Sequence, residues 1–146
     1  MPKSENVQLI ESLYAAFAQG NLPAVLEGFA PDIEWQQAEN TPYTTAGPVR
    51  GRQAVLDNIF SRLAGDWDGF TVAPREYIDA GGTVIALGRY SGTHRRTGRQ
   101  LYAQFAHLWE IRGGKVARYR QYTDTLQIAE AFGTVTRVAS AASAAH

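Results

Sequence analysis

The residues that could do chemistry lie near the end of the chain, in two predicted strands joined by Gly113-Gly114. Alternation along these strands places an imidazole and a carboxylate among aromatic rings on one face, which carries Phe105, His107, Trp109, Tyr122 and Asp124. Histidine and aspartate are general acids and bases, and an apolar aromatic surface is typical of a small-molecule pocket. Desolvation by these rings would raise the pKa of the aspartate, which suits acid/base catalysis. We therefore predict His107 and Asp124 as catalytic residues.

The Gly-Gly turn determines the predicted distance between the two groups. With a two-residue turn, His107 lies opposite Arg120, Phe105 opposite Tyr122, and Asp124 opposite Ala103. His107 and Asp124 are then separated by about 13 Å, at ~3.3 Å per residue along the strand. A hydrogen-bonded pair needs roughly 2.6–3.2 Å, so the two groups act on opposite ends of a bound molecule, or only one of them is chemical. A β-bulge in either strand would shift this register by one residue.

Two arginines conflict with an apolar face. Arg118 and Arg120 share the alternation of Tyr122 and Asp124, yet unpaired arginines are not stable in an apolar cavity. Three explanations remain open: a bulge in the strand, a position at an open mouth or subunit interface, or pairing with one of the carboxylates Glu34, Glu39 and Glu110. We expect Arg120 to lie near His107, paired with a carboxylate.

Other residues complete the predicted ligand site. Glu39 and Tyr43 lie in a Thr-, Pro- and Gly-rich loop over residues 36–50, and loops of this length are usually functional. The predicted ligand-binding residues are Trp35, Glu39, Tyr43, Phe60, Tyr90, Phe105, Trp109, Arg120 and Tyr122. Structural alternatives remain: His107 as a hydrogen-bonded core residue, and Asp124 as the cap of a helix over Thr125–Phe132. No pair of histidines has metal-ligand spacing, so we predict no metal.

The first half of the chain is predicted to be helical. Ile10, Leu13, Tyr14 and Phe17 follow helical spacing and predict a first helix that ends at Gly20. Asn21 can cap a short second helix. Apolar spacing predicts a third helix from about Arg52 to Leu63.

From Gly69 onward the pattern changes to the period of strands, over residues 70–78, 83–93, 99–111 and 116–124. Gly88 and Gly92 lie inside the second of these strands, where glycines often mark bulges and bends. We therefore predict an α+β fold, in which three helices pack on the concave face of a curved antiparallel sheet. Such a sheet and its helices form a cone, and the open end of the cone is the expected ligand site.

Composition limits the function further. A chain of 146 residues is predicted to form one domain over residues 1–133, followed by an Ala/Ser-rich tail over residues 134–146 that we expect to be disordered. The formal net charge is zero, which gives no electrostatic basis for binding nucleic acid or an anionic membrane. Without cysteine the chain has no thiol nucleophile. The polar N-terminus and the lack of a long apolar run favour a cytoplasmic protein.

Several segments resemble the SnoaL-like proteins of the nuclear-transport-factor-2-like superfamily. These are residues 14–21 and 29–35, the strand from Val84 to Gly92, and the hairpin motifs Phe105-x-His107-x-Trp109, Gly114-Lys115-Val116 and Tyr122-x-Asp124. The resemblance implies a cone-shaped barrel of cystatin-like topology that forms a homodimer through its sheet. Asp124 and His107 match acid/base positions of the family's cyclases, whereas Tyr122 stands where those cyclases have a second histidine.

The same resemblance argues against steroid isomerase chemistry. The oxyanion-binding tyrosine of those isomerases aligns with Leu13, and their basic aspartate aligns near Gln37. We expect a cofactor-independent acid/base enzyme of the cyclase, isomerase or dehydratase type, acting on a small apolar carbonyl or polyketide-like compound. In that enzyme Asp124 would be the acid/base and His107 would polarise the substrate or relay a proton. The alternative is a non-catalytic ligand-binding or dimeric assembly module of the same fold.

Overall fold

The computed structural model describes residues 2–43 and 47–138, which form five α-helices, one π-helical segment and six strands. In chain order these are α1 (Glu5–Ala18), α2 (Leu22–Glu27), β1 (Phe29–Gln36), β2 (Val49–Arg50), α3 (Arg52–Val55), the π-helical segment (Leu56–Phe60), α4 (Ser61–Asp66), β3 (Trp67–Ala80), β4 (Thr83–His94), β5 (Gln100–Arg112), β6 (Lys115–Thr123) and α5 (Thr125–Phe132). The α+β prediction is confirmed. Of the predicted tail, residues 139–146 lie outside the described residues.

The N-terminal helices begin at the capping residues expected from their side chains. The Ser4 hydroxyl accepts a hydrogen bond from the Val7 N–H at 3.1 Å, and the Asn21 side chain accepts one from Ala24. Gly20 follows α1 with a φ of 72°, a left-handed conformation that glycine adopts without strain. The buried side of α1 includes Leu13 and Tyr14 and points at the sheet.

The third predicted helix corresponds to residues 52–66, which are helical throughout. A π-helical turn at Leu56–Phe60 lies between α3 and α4. Single π turns are rare overall, but those that occur are often found at functional sites. Here the turn places two consecutive side chains, Ile59 and Phe60, in the interior. None of the helices in the described residues is long and apolar enough to cross a bilayer.

The strands form a single sheet in the order β2-β1-β6-β5-β4-β3, in which only the β1–β6 pair is parallel. The register of β3 against β4 shifts opposite Gly88, between Pro74 and Glu76, as expected for a bulge at a strand glycine. A Cβ at Gly88 would lie 2.2 Å from the Ala73 carbonyl oxygen, so only glycine allows this approach. These irregularities bend the sheet around the helices.

The β5–β6 hairpin corrects the predicted register. Gly113 and Gly114 form the expected turn, and Ile111 pairs with Val116, but Glu110 then pairs with Arg118 because Ala117 is an extra residue. This bulge moves every later residue of β6 to the opposite face. His107 therefore lies opposite Gln121 and not opposite Arg120, and Trp109 lies opposite Tyr119.

The predicted inward-facing residues of β6 are therefore wrong. Tyr119 and Gln121 are buried under the helices, whereas Tyr122 is 54% exposed on the outer face of the sheet. Arg118 and Arg120 also lie on the outer side, which removes the conflict between two arginines and an apolar interior. Two of the three explanations for the arginines hold: the strand bulges, and Arg118 forms an ion pair with Glu110.

Candidate functional site

An inner cavity lies between the helices and the concave face of the sheet. Its volume is about 80 Å³, and on the same scale a single water needs ~10–15 Å³, so it has room for several waters or a small organic molecule. Aromatic and aliphatic side chains make up most of its surface. The polar side chains among the described lining residues are Tyr14, Trp35, Gln37, Thr41, Tyr43, Trp67, Tyr90, His107, Trp109, Tyr119 and Gln121. No Asp, Glu, Lys or Arg is among these described lining residues.

His107 is at the centre of the polar network of this cavity. Its Nδ1 atom is 2.6 Å from the Tyr14 hydroxyl, and its Nε2 atom is 2.5 Å from the Tyr90 hydroxyl. The Phe105 ring stacks on the imidazole with a centroid distance of 3.9 Å. The imidazole is therefore held in place by two phenols and one aromatic ring, and all four side chains are buried.

Each of the two phenol oxygens also accepts a hydrogen bond from a neighbouring side chain. The Trp109 indole N–H donates to the Tyr14 oxygen at 3.0 Å, and the Gln121 amide donates to the Tyr90 oxygen at 2.7 Å. The Gln121 carbonyl oxygen accepts from the Ala38 N–H, which makes the amide nitrogen face Tyr90. The Tyr119 ring lies beside the imidazole, at a centroid distance of 5.1 Å. Tyr14, His107 and Tyr90 thus form a chain of three groups, which we call the phenol–imidazole chain.

Counting hydrogens shows that this chain has one donor to spare. Two hydroxyls and one neutral imidazole provide three hydrogens, but only two contacts join the three groups. The spare hydrogen therefore belongs to Tyr14 or to Tyr90, at the two ends of the chain. Which end carries it depends on which imidazole nitrogen is protonated.

Burial keeps the chain uncharged. Desolvation lowers the pKa of the His107 imidazole well below its ordinary value. Desolvation likewise raises the pKa of the Tyr14 and Tyr119 phenols well above the ordinary value, and it raises that of Tyr90. At neutral pH the cavity therefore presents hydroxyls and a neutral imidazole.

A second polar cluster lies where the segment after β1 meets α4 and β3. The Tyr43 hydroxyl donates to an Asp66 carboxylate oxygen at 2.8 Å and accepts from the Trp67 indole N–H at 3.1 Å. The Arg62 guanidinium lies over the Tyr43 ring at 4.8 Å from its centroid. Tyr43 thus holds the segment after β1 over the cavity. The carboxylate of Asp66 lies behind Tyr43 and does not line the cavity.

The structure brings together six of the predicted site residues: His107 and the lining residues Trp35, Tyr43, Phe60, Tyr90 and Trp109. Phe105 packs on His107 without lining the cavity. Glu39 is exposed on the segment after β1. Tyr122 lies on the outer face of the sheet, for the reason given by the bulge.

Asp124 and Arg120 lie outside the inner cavity. The Asp124 carboxylate accepts from the Gln127 N–H at 3.2 Å and caps α5, which was the structural alternative for this residue. Among the described residues, Arg120 does not form the expected ion pair with a carboxylate near His107. Glu34 pairs with Arg50 and Glu110 with Arg118, and the buried Arg120 Nε has no hydrogen-bond partner among the described residues.

Sequence reasoning missed six polar residues that line the cavity: Tyr14, Gln37, Thr41, Trp67, Tyr119 and Gln121. Tyr14 was placed on the buried side of α1 by its spacing, and a phenol there indicates a buried hydroxyl in need of a partner. The predicted alternation that turns Tyr122 and Asp124 inward would turn Tyr119 and Gln121 outward, because no sequence signal revealed the bulge at Ala117. The described residues contain no group of three or more His, Asp or Glu side chains that could hold a metal ion.

Comparison with known proteins places this geometry in a family. A profile of the SnoaL-like domain matches residues 10–119. An NTF2-like protein of Burkholderia thailandensis is 39% identical to this chain and superposes with a TM-score of 0.81. The match covers 86% of this chain and 95% of that protein's chain. TerC, co-crystallized with polyporic acid, is 29% identical over 89% of this chain and 99% of its own, with a TM-score of 0.80.

An uncharacterized protein of Mycobacterium bovis is 29% identical over 123 residues, which cover 84% of this chain and 91% of that protein. The matched profile spans well over half of the chain and confirms the resemblance detected in its motifs. The protein belongs to the SnoaL-like family and has the nuclear-transport-factor-2-like fold.

Proposed function

We propose that the protein binds a small, uncharged, largely apolar molecule with one hydrogen-bond acceptor oxygen in the inner cavity. The observation that carries this proposal is the spare hydroxyl hydrogen at one end of the phenol–imidazole chain, in an otherwise aromatic cavity. A buried donor without a partner costs roughly 1–3 kcal/mol, and a ligand oxygen removes that cost.

The charge of the ligand follows from the lining residues. A carboxylate or ammonium group would lose its hydration without gaining an opposite charge, since the described lining residues carry neither acid nor base apart from the neutral His107. TerC supports the assignment as a relative crystallised with a small organic compound. The limited cavity volume favours a compact ligand over a large polyketide-like ring.

Matched probes test the proposal directly. Cyclohexanone and methylenecyclohexane have similar shapes but differ in the acceptor oxygen, and all three tryptophans line the cavity and can report binding by fluorescence. We expect the ketone to bind about tenfold more tightly than the alkene, since one satisfied donor contributes roughly 1–3 kcal/mol. Cyclohexanecarboxylate should bind more weakly than both.

Variants locate the donor. Tyr14→Phe removes one end of the chain and should reduce the preference for the ketone. Tyr77→Phe is the matched control, because Tyr77 packs 6.2 Å from the Tyr14 ring without joining the chain. Equal affinity for the ketone and the alkene in the unmodified protein would contradict the proposal.

For the assembly we propose a homodimer through the outer face of the sheet. Tyr102 is 53% exposed there, with the Arg75 and Arg89 guanidinium groups over its ring, and Tyr122 is similarly exposed. An aromatic and arginine-rich surface is typical of protein interfaces. Sedimentation of the unmodified chain and of a Tyr122→Glu variant tests this: a monomer in both cases would exclude it. A cytoplasmic location stays a prediction.

A further inference from the structure

We propose that the inner cavity binds a neutral molecule with two acceptor oxygens, and that the Gln37 amide is the specificity-determining donor for the second oxygen. This inference rests on the proposed binding function, because the phenol–imidazole chain supplies the donor for the first oxygen. It narrows the class of ligand from one acceptor oxygen to two, and it gives a role to a residue outside that chain.

The orientation of the Gln37 amide is fixed by Trp35. The Trp35 indole N–H donates to the Gln37 side-chain oxygen at 2.7 Å. An indole nitrogen only donates, so the amide atom that faces it is the carbonyl oxygen and not the nitrogen. The indole is itself held in place, because its ring stacks on Tyr119 at a centroid distance of 3.7 Å. The NH₂ group of Gln37 is therefore left for another partner.

The protein does not supply that partner. The Gln37 side chain takes part in one hydrogen bond among the described residues, the one from Trp35 to its oxygen. The Gln36 side chain contacts only the Gln37 backbone oxygen. Yet Gln37 is 7% exposed and lines the inner cavity. A buried donor without an acceptor is unfavourable, so an acceptor atom of a bound molecule is the partner that this NH₂ group lacks.

Gln121 contributes one more free hydrogen to the same wall of the cavity. Its carbonyl oxygen accepts from the Ala38 N–H at 3.1 Å, and its nitrogen donates one hydrogen to the Tyr90 oxygen at 2.7 Å. The second amide hydrogen has no acceptor among the described residues. Because Ala38 follows Gln37 in the chain, the same contact brings the two glutamines close together.

The number of free hydrogens determines the number of ligand oxygens. Gln37 offers two hydrogens, Gln121 offers one, and the phenol–imidazole chain offers one. One carbonyl oxygen has two lone pairs and can accept two of these hydrogens, whereas two oxygens can accept all of them. Since the described lining residues carry no charged group, a neutral molecule with two acceptor oxygens fits the cavity better than a molecule with one.

Hexane-2,5-dione and hexan-2-one are matched probes for the second donor. The dione has one more carbonyl oxygen, on a flexible chain that can adapt to the positions of the donors. A carbonyl group that found no donor would lose its hydration and weaken binding, whereas one bound to Gln37 strengthens it. By tryptophan fluorescence, we expect the unmodified protein to bind the dione about fivefold more tightly, the effect of one typical hydrogen bond.

A pair of variants assigns this preference to Gln37. Gln37→Met removes the amide hydrogens and keeps a side chain of similar length. It should therefore abolish the roughly fivefold preference for the dione, mainly by weakening dione binding. Gln36→Met is the matched control, because Gln36 is the adjacent glutamine and does not line the cavity. This control should keep the preference of the unmodified protein.

A second measurement uses the unmodified protein, because Gln37→Met deprives the Trp35 indole of its acceptor and can fail to fold. In infrared spectra of bound, ¹³C-carbonyl-labelled hexane-2,5-dione, both carbonyl stretches should lie below their frequency in an alkane solvent, since hydrogen bonding lowers the stretch.

Three outcomes would each overturn the second donor. These are a dione preference of about twofold or less, which two equivalent carbonyl groups give by statistics alone, a preference retained in Gln37→Met, or one carbonyl stretch at its alkane frequency. If cyclohexanone still binds more tightly than methylenecyclohexane, these outcomes leave the proposed binding function intact. Loss of that ketone preference in the unmodified protein overturns both.

Discussion

Acid should destabilise the protein through His107. An imidazole in the unfolded chain has an ordinary pKa of about 6.5, whereas burial lowers the pKa of His107 well below that value in the folded protein. Below about pH 6.5 the unfolded chain binds a proton that the folded protein does not. The free energy of unfolding then falls as the pH falls, and the stabilisation is complete only above the unfolded pKa.

The magnitude follows from the linkage relation. Each pH unit between the two pKa values changes the free energy of unfolding by about 1.4 kcal/mol per group. Below pH 6.5, His107 should therefore remove up to about 1.4 kcal/mol of stability per pH unit for as long as the folded imidazole stays neutral. This loss is measurable against the roughly 5–15 kcal/mol typical of a domain.

Urea unfolding of the unmodified protein and of His107→Gln at pH 7.5, 6.5, 5.5 and 4.5 isolates this contribution. The glutamine keeps a donor and an acceptor between the two phenols but does not titrate. Carboxylates affect both proteins alike, and so does His94, whose pKa is also lowered by burial. The stability advantage of the unmodified protein should thus shrink as the pH falls below 6.5, by up to about 1.4 kcal/mol per pH unit. A constant difference across this range would refute the neutral phenol–imidazole chain.

Five further substitutions, at four positions, test individual features of the structure. Asp124→Ala should lower stability by about 1 kcal/mol in thermal unfolding and leave ketone affinity unchanged, whereas Asp124→Asn should retain most of the stability, because the carboxylate caps α5 outside the cavity. Gly88→Ala should lower the free energy of unfolding in urea by about 3 kcal/mol, since its Cβ would meet the Ala73 carbonyl oxygen. Gly65→Ala is the matched control: a Cβ there meets no atom within 4 Å, so it should stabilise α4 by roughly 0.5–1 kcal/mol. Tyr43→Phe should cost roughly 1–3 kcal/mol in the same assay, because it deprives the carboxylate of Asp66 of its phenol donor.

The helices and strands were predictable because each has a local signal. The spacing of Ile10, Leu13 and Tyr14 predicts the buried side of α1, and the structure confirms it. Gly88 marks the bulge between β3 and β4, and the Gly113-Gly114 turn has the positive φ angles that glycine favours. These features depend on residues close in sequence, so one sequence was sufficient to predict them.

The site was only partly predictable, because its contacts join distant segments. The Tyr14 hydroxyl meets the His107 imidazole across 93 positions of sequence, and no local pattern links the two. The third helix was predicted without its π-helical turn, since that turn keeps the same apolar residues inside. Residues that share one strand, such as His107 and Trp109, were placed correctly because alternation alone determines their side.

The bulge at Ala117 determines the chemistry of the cavity. Without the extra residue, the alternation of β6 would direct Arg118, Arg120 and Tyr122 inward, and two guanidinium groups would lose their hydration among aromatic rings. The strand instead interrupts its hydrogen-bond ladder once, between Ile111 and Glu110 of its partner.

The same shift brings Gln121 to the Tyr90 oxygen, places the Tyr119 ring beside His107 and leaves no carboxylate or arginine among the described lining residues. The conflict of two arginines with an apolar face, visible in the sequence, and the uncharged lining of the cavity therefore have one physical cause.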